Sequence, residues 1–137
     1  TQWSSSAASD VYKRQADYLT TADREMCLVV QIETPAGVAA LDDILAVEGV
    51  DAVFIGPSDL SANYGHIGNP GAPEVVEAVQ SSLDKIAASD KASGIMALDP
   101  AAAKSYFDRG VDFVAVSIDA RTLALSLRAI TADMRNR

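Results

Sequence analysis

Glu33 closes the run CLVVQIE at residues 27–33, and Asp59 follows the run DAVFIG at 51–56 within the segment FIGPSDLS. Glu33 therefore ends, and Asp59 stands just past, a short apolar, β-branched stretch of the kind that forms a strand buried on both faces. Adjacent parallel strands lie about 4.8 Å apart, so two carboxylates at neighbouring strand ends can approach one point. That donor set suits a hard divalent cation, because Mg²⁺ takes one or two carboxylates, keeps several waters and leaves room for substrate oxygens. Two plainer roles compete: Glu33 pairing with a lysine, and Asp59 capping the helix that follows it. Position alone leaves both open.

Gln31 lies two residues before Glu33, so both side chains leave the strand on one face. A polar amide within LVVQIE needs a partner there, and a substrate or a neighbouring side chain would serve equally. Gly56-Pro57-Ser58 invites a similar pair of readings. A glycine after a strand lets backbone approach a ligand, and the N–H groups that open the next helix favour an anion. An ordinary tight turn explains the same residues.

The remaining reactive side chains carry less. His66 is the only histidine and sits in a glycine-rich loop, where a surface role is expected rather than that of a base. Asp42 and Asp43 fall mid-helix and are expected in solvent. Cys27 is expected to pack within its strand, and Ser93, Ser117 and Asp119 stand at or near strand ends, where they could line a pocket. The sequence holds no P-loop, GxGxxG, HExxH or GxSxG pattern. Their absence weighs against nucleotide-dependent phosphoryl transfer and serine-type hydrolysis.

These residues need elements to place them. Strands are expected at 27–33, 51–56, 92–98 and 112–118. Thr34-Pro35 reads as N-cap and first turn of a helix that puts Val38, Leu41, Ile44 and Leu45 on one face and stops at Gly49. PSDLSANYG opens with a short helical turn and HIGNPGAP is a loop. A long helix runs from Pro73 to about Ser89, with Val75, Val76, Val79, Leu83 and Ile86 inward. Asp99-Pro100 starts another that ends at Gly110, and a closing helix spans Asp119 to about Met134. Strands that alternate with helices, without hairpin signals, mean an α/β fold with a parallel sheet. An open doubly wound sheet and part of a (β/α)8 barrel both fit. A complete barrel needs about 250 residues, and the chain has 137. In either architecture ligands bind at the carboxyl ends of strands, where Glu33 and Asp59 fall.

Composition narrows the partners. Hydrophobic residues make up 49% of the chain, which suits a folded domain, and the net charge of −8 leaves no basic stripe for nucleic acid or an anionic membrane. A single cysteine precludes an internal disulfide, and no run approaches 18 apolar residues, so a soluble cytoplasmic protein is expected. The segment TQWSSSAASDVYKRQ at 1–15 is Ser/Ala-rich and then basic, without periodicity. It is read as a non-native or disordered leader ahead of a domain at 16–137.

The segments VQIETPAGVAALDDILAVEGVDAVFIGPSDLSANYGHIGNPGAPEV, SGIMA and GVDFVAVSID together resemble the HpcH/HpaI aldolase family, the metal-dependent class II pyruvate aldolases. The resemblance runs from about Tyr18 to near the C-terminus and implies the C-terminal half of a (β/α)8 TIM barrel. It implies that Glu33 and Asp59 bind a divalent metal, Mg²⁺, Mn²⁺ or Co²⁺. Gln31 then contacts the bound oxo acid, and the backbone N–H groups of Ser58 and Asp59 hold its carboxylate. The implied reaction is reversible cleavage of a 4-hydroxy-2-oxo acid to pyruvate and an aldehyde, in a homo-oligomer, commonly a hexamer. The family's catalytic arginine and histidine lie in the other half of the barrel, and His66 matches a variable loop position. No catalytic residue is therefore assigned here, and little or no activity is expected of this chain alone. A citrate-lyase-like reaction on a CoA thioester and a non-catalytic half-barrel with an assembly role are the alternatives.

Overall fold

The computed structural model describes Tyr18 and residues 20–135; the leader expected at 1–15 lies outside the described residues. A helical segment over 20–25 leads into strand β1, Val29–Ile32. Helices α1 (Pro35–Ala39) and α2 (Leu41–Leu45) follow, then β2 (Ala52–Ile55), α3 (Pro57–Asn63) and α4 (Pro73–Ala87). The chain continues through β3 (Ala92–Met96), α5 (Pro100–Asp108), β4 (Phe113–Ala115) and α6 (Asp119–Arg135). The strands form one parallel sheet in the order β1-β2-β3-β4.

Alternation along the strands divides the sheet into two unlike faces. Val30, Ile32, Val53, Ile55, Ile95 and Val114 point to one side, where they join Leu41, Leu60, Val75, Val79, Leu83 and Ile86 from the helices in a single core. The opposite face carries Val29, Gln31, Phe54, Met96 and Phe113, none of them buried. A sheet covered on one face only is what an arc of a barrel wall looks like, with the open face as the interior. Both edge strands, β1 and β4, have one unpaired side among the described residues.

Gly94 shapes the middle of the open face. It pairs in register with Phe54 on one side and Phe113 on the other. The two rings stack across it with centroids 5.5 Å apart. A Cβ at Gly94 would stand 2.3 Å from Phe113 Cζ, so only glycine leaves room for this stack.

The strand entries are pinned by a repeated device. Gly-Val-Asp occurs at 49–51 and again at 110–112. Each glycine lies in the turn between a helix and the following strand and adopts the left-handed region, at φ +88° for Gly49 and +94° for Gly110. Each valine is buried, and each aspartate reaches the neighbouring strand. Asp51 Oδ2 accepts from Leu28 N at 2.7 Å, and Asp112 Oδ2 accepts from Ser93 N at 2.7 Å and Ser93 Oγ at 2.8 Å. The latter bonds also correct the expectation for Ser93, which is buried at the amino end of β3, the end opposite the strand termini where ligands bind.

Several boundaries move for identifiable reasons. Thr34 caps α1 as expected, its hydroxyl accepting from Gly37 N at 3.0 Å. The single helix expected over 36–49 is two, because the chain turns at Ala40 (φ −89°, ψ 4°) and delivers Leu41 into the core. Val76 is exposed, since Val75, Val79, Leu83 and Ile86 already define the inward face of α4 and Val76 lies about 100° around from Val75. Cys27 is exposed and precedes β1, so it is not a packing residue of that strand. Asp42 is not merely solvated: its carboxylate pairs with Lys85 at 2.6 Å. No helix among the described residues is long and apolar enough to cross a membrane.

The Ser93 backbone N–H, followed by the Ser93 hydroxyl, holds the Asp112 carboxyl below the usual carboxylate range. A depressed folded-state pKa contributes stability that is complete above the unfolded value, about 3.9, and is lost as pH falls through the folded value. Asp112→Ala is expected to cost about 1 kcal/mol at pH 7, below the usual range for a hydrogen bond to a charged group because solvent screens the exposed carboxylate. In urea unfolding the gap between parent and variant should narrow as pH drops below about 4. A gap that stays constant down to pH 3 would show that the carboxylate charge contributes nothing.

Candidate active site

The carboxyl ends of β1 and β2 bring the candidate residues together. Ile32 and Ile55 are the last register pair, and Gly56 N donates to Ile32 O at 3.0 Å, so Glu33 and Gly56 leave the sheet level with each other. Glu33 makes no ion pair with a lysine among the described residues. Instead its Oε2 accepts from Gln31 Nε2 at 2.7 Å. Gln31 therefore has its partner, and that partner is a neighbouring side chain on the same strand face.

Gly56 is the space this pair occupies. A Cβ there would lie 3.0 Å from Gln31 Nε2, 3.4 Å from Glu33 Cβ and 3.6 Å from Glu33 Oε2. Its backbone, at φ −105° and ψ 83°, lies outside the left-handed region, so glycine is needed here for close approach rather than for a special dihedral.

Asp59 is the third residue of α3, not its cap. The N-cap is Gly56, which has no side chain to offer, and Pro57 fills the first position without an N–H. The first intrahelical bond runs from Leu60 N to Gly56 O at 2.9 Å. The N–H groups of Ser58 and Asp59 are thus donors that the helix itself does not use. The Asp59 carboxylate accepts no protein hydrogen bond among the described residues, and its charge sits favourably in the first turn.

Gln31, Phe54, Gly56, Ser58, Asp59, Met96, Leu98 and Ile118 are among the residues lining a cavity of about 160 Å³ above the open sheet face. Asp59 lines this cavity, and Glu33, which does not line it, is bonded to Gln31, which does. Two larger clefts, of about 380 and 640 Å³, lie toward the helices and include neither carboxylate. Chemistry, not size, singles out the smaller one. Among the described residues no group of three or more His, Cys, Asp and Glu side chains is placed to hold a metal. Asp59 on the cavity wall and Glu33, bonded to Gln31 there, are oxygen donors of the kind Mg²⁺ takes, with water and ligand oxygens completing its shell.

Other sequence candidates stand apart. His66 Nε2 pairs with Glu74 at the start of α4. Ser117 Oγ shares a hydrogen bond of 2.7 Å with Thr122 Oγ1, and Asp119 Oδ1 accepts from Ala120 N at 2.7 Å, so both serve the start of α6. Asp43 is exposed on α2. One residue passed over in the sequence does belong to the site: Asn63 Nδ2 donates to Glu33 O at 3.1 Å and Asp59 O at 3.0 Å. Its position four residues after Asp59 was the available signal, since i and i+4 share a helix face.

A family model described as HpcH/HpaI aldolase/citrate lyase matches residues 5–125, a span that begins within the 1–15 segment. A hydroxypyruvate/pyruvate aldolase from Roseovarius nubinhibens is 50% identical over 119 residues, which cover 87% of this chain and 46% of that protein. A 4-hydroxy-2-oxo-heptane-1,7-dioate aldolase from Escherichia coli is 45% identical over 126 residues, covering 92% and 48% respectively. The crystal structure of a family protein from Burkholderia cenocepacia superposes with a TM-score of 0.82 at 36% identity, over 88% of this chain and 47% of that one. The chain spans about half the length of the curated relatives it matches.

Gly56→Ala tests the close approach directly. The added methyl should displace the Gln31 amide from Glu33 while costing the fold no more than about 1 kcal/mol, because the backbone conformation is open to alanine. The expected signature is a shifted Gln31 side-chain amide resonance in ¹⁵N spectra with a thermal midpoint within a few degrees of the parent. An unshifted amide would mean that the pair does not need the space.

Proposed function

Because the chain belongs to the HpcH/HpaI aldolase/citrate lyase family, we propose that its strand-end site serves metal-dependent cleavage of a 4-hydroxy-2-oxo acid to pyruvate and an aldehyde, and the reverse condensation. The observation that carries this reading is the placement of Glu33 and Asp59 beside the level ends of β1 and β2, with Gln31 bonded to Glu33. The names of the relatives, pyruvate and hydroxy-oxo-acid aldolases, support the reaction class.

In this reading Glu33 and Asp59 hold the divalent ion, Mg²⁺ or alternatively Mn²⁺ or Co²⁺. When bound, the ion supplies Lewis acidity toward the oxygens of the 2-oxo acid. The chain's own groups bind and orient. Ser58 N–H and Asp59 N–H, which lie in the first turn of α3 and have no intrahelical acceptor, receive the substrate carboxylate. One amide proton of Gln31 fixes Glu33, and the rest of the amide faces the cavity and contacts the oxo acid. Phe54 and Met96 supply apolar wall and limit that end of the cavity to a small acid.

Breaking the C3–C4 bond also requires a base for the C4 hydroxyl and a proton donor to C3. None of the residues gathered at the site fills these roles, and we assign them to the part of the relatives' length that this chain does not span. The same completion would cover the open face and both sheet edges. The apolar residues of α6, among them Leu123, Leu127 and Ile130, are exposed and would pack in a homo-oligomer such as a hexamer. A cytoplasmic setting agrees with an exposed, unpaired Cys27. Citrate-lyase-type chemistry on a CoA thioester is the second reading; it is favoured by the family's description, and the small cavity beside Asp59 counts against it.

Titration of the chain with Mn²⁺, followed by the loss of free-ion electron paramagnetic resonance signal, tests the ligand pair. The parent is expected to bind weakly, and Glu33→Gln and Asp59→Asn each to weaken binding by about tenfold or more. Unchanged affinity in both variants would refute the assignment. Pyruvate release from a 4-hydroxy-2-oxo acid by this chain alone should be near background, and release at the rate of the family's longer members would overturn the division of roles.

A further inference from the structure

Beyond the last ladder bond, Gly56 N to Ile32 O, β1 and β2 turn away into separate helices. Glu33 then belongs to the lead-in of α1 and Asp59 to α3. Among the described residues one side chain bridges the two segments past that point. Asn63 Nδ2 donates to Glu33 O at 3.1 Å and to Asp59 O at 3.0 Å. The two acceptors are the backbone carbonyls of the two residues assigned as ligands.

We propose that Asn63 is a positioning residue, whose amide ties the backbone of Glu33 to that of Asp59 and so sets the spacing of the carboxylate pair for a divalent cation. This inference rests on the ligand reading above. The bond to Asp59 O is local, four residues back along α3. The bond to Glu33 O crosses 30 positions of sequence and has no counterpart in ordinary helix termination. Termination of α3 is already provided by Tyr64, whose N–H bonds Leu60 O at 3.0 Å, and by Gly65 at φ +84°. Both acceptors are carbonyl oxygens, and a primary amide carries two N–H donors on a single nitrogen that can serve both. An alanine lacks them. An aspartate would set an acceptor oxygen against two carbonyl oxygens.

That last contrast separates positioning from charge. Asn63→Asp adds a negative charge near the site, which by itself attracts a cation. If the amide positions the carboxylates, the variant should nonetheless bind Mn²⁺ more weakly. The experiment is the Mn²⁺ titration of the full chain, its Asn63→Ala and Asn63→Asp variants, and Glu33→Gln and Asp59→Asn alongside, with circular dichroism and thermal midpoints recorded without metal. Asn63→Ala is expected to weaken Mn²⁺ binding about three- to tenfold, the range set by one or two net hydrogen bonds, and Asn63→Asp to weaken it further. Thermal midpoints should stay within a few degrees, since Asn63 is exposed. Tighter or unchanged binding by Asn63→Asp, unchanged binding by Asn63→Ala, or loss of the folded spectrum in Asn63→Ala would each overturn the proposal while leaving the ligand pair standing. No binding by the parent, or unchanged binding in both carboxylate variants, would overturn the ligand pair and the proposal together.

Discussion

The register between β1 and β2 is the constraint on which the rest of this molecule depends. With Ile32 paired to Ile55, Val30 and Ile32 enter the core while Gln31 faces the open side of the sheet. A slip of one residue would bury Gln31 and expose Ile32, because the side-chain period of a strand is two. The same register brings Glu33 level with Gly56, which lets the Gln31–Glu33 hydrogen bond form in the space a Cβ would fill. Site geometry and core packing are therefore one choice. At the amino ends Asp51 reinforces it by capturing Leu28 N, and Asp112 does the same between β4 and β3 through Ser93 N.

The two sides of the sheet serve different ends. The helix side is closed by aliphatic residues of four strands and the inward faces of α2, α3 and α4. The open side mixes one amide with aromatic and thioether groups, and Gly94 lets Phe54 and Phe113 stack. A lone parallel sheet with one uncovered face and two unpaired edges is unusual, since such sheets normally have both faces covered. In a closed barrel the same face is interior, and its side chains pack against those of the opposite strands. The half-length match to the relatives and the exposed apolar residues of α6 point the same way.

Much of this was legible in the residues. Short apolar, β-branched runs between helix-capping pairs such as Thr34-Pro35 and Asp99-Pro100 predicted the parallel α/β order, because local capping and hydrophobic period act over a few residues. Both caps formed, with Gly37 N on Thr34 and Ala102 N on Asp99. The family resemblance carried the identity of the candidate ligands. Less legible were the break at Ala40, the exposure of Cys27 and Val76, and the bond between Ser93 and Asp112. Each depends on where a neighbouring element lies, which a local pattern does not contain.

Glu33, Asp59 and Gln31 could be nominated from sequence because strand ends and helix starts are local events. Whether Glu33 met a lysine or Gln31, and whether Asp59 capped its helix, was decided only by the fold. The reason is steric and electrostatic: Gly56 leaves room for the Gln31 amide to reach Glu33, and Pro57 and Gly56 fill the first helix positions ahead of Asp59. Asn63 shows the same division. Its spacing from Asp59 is written in the sequence, but its bond to Glu33 joins residues 30 positions apart, and only the pairing of β1 with β2 brings them together.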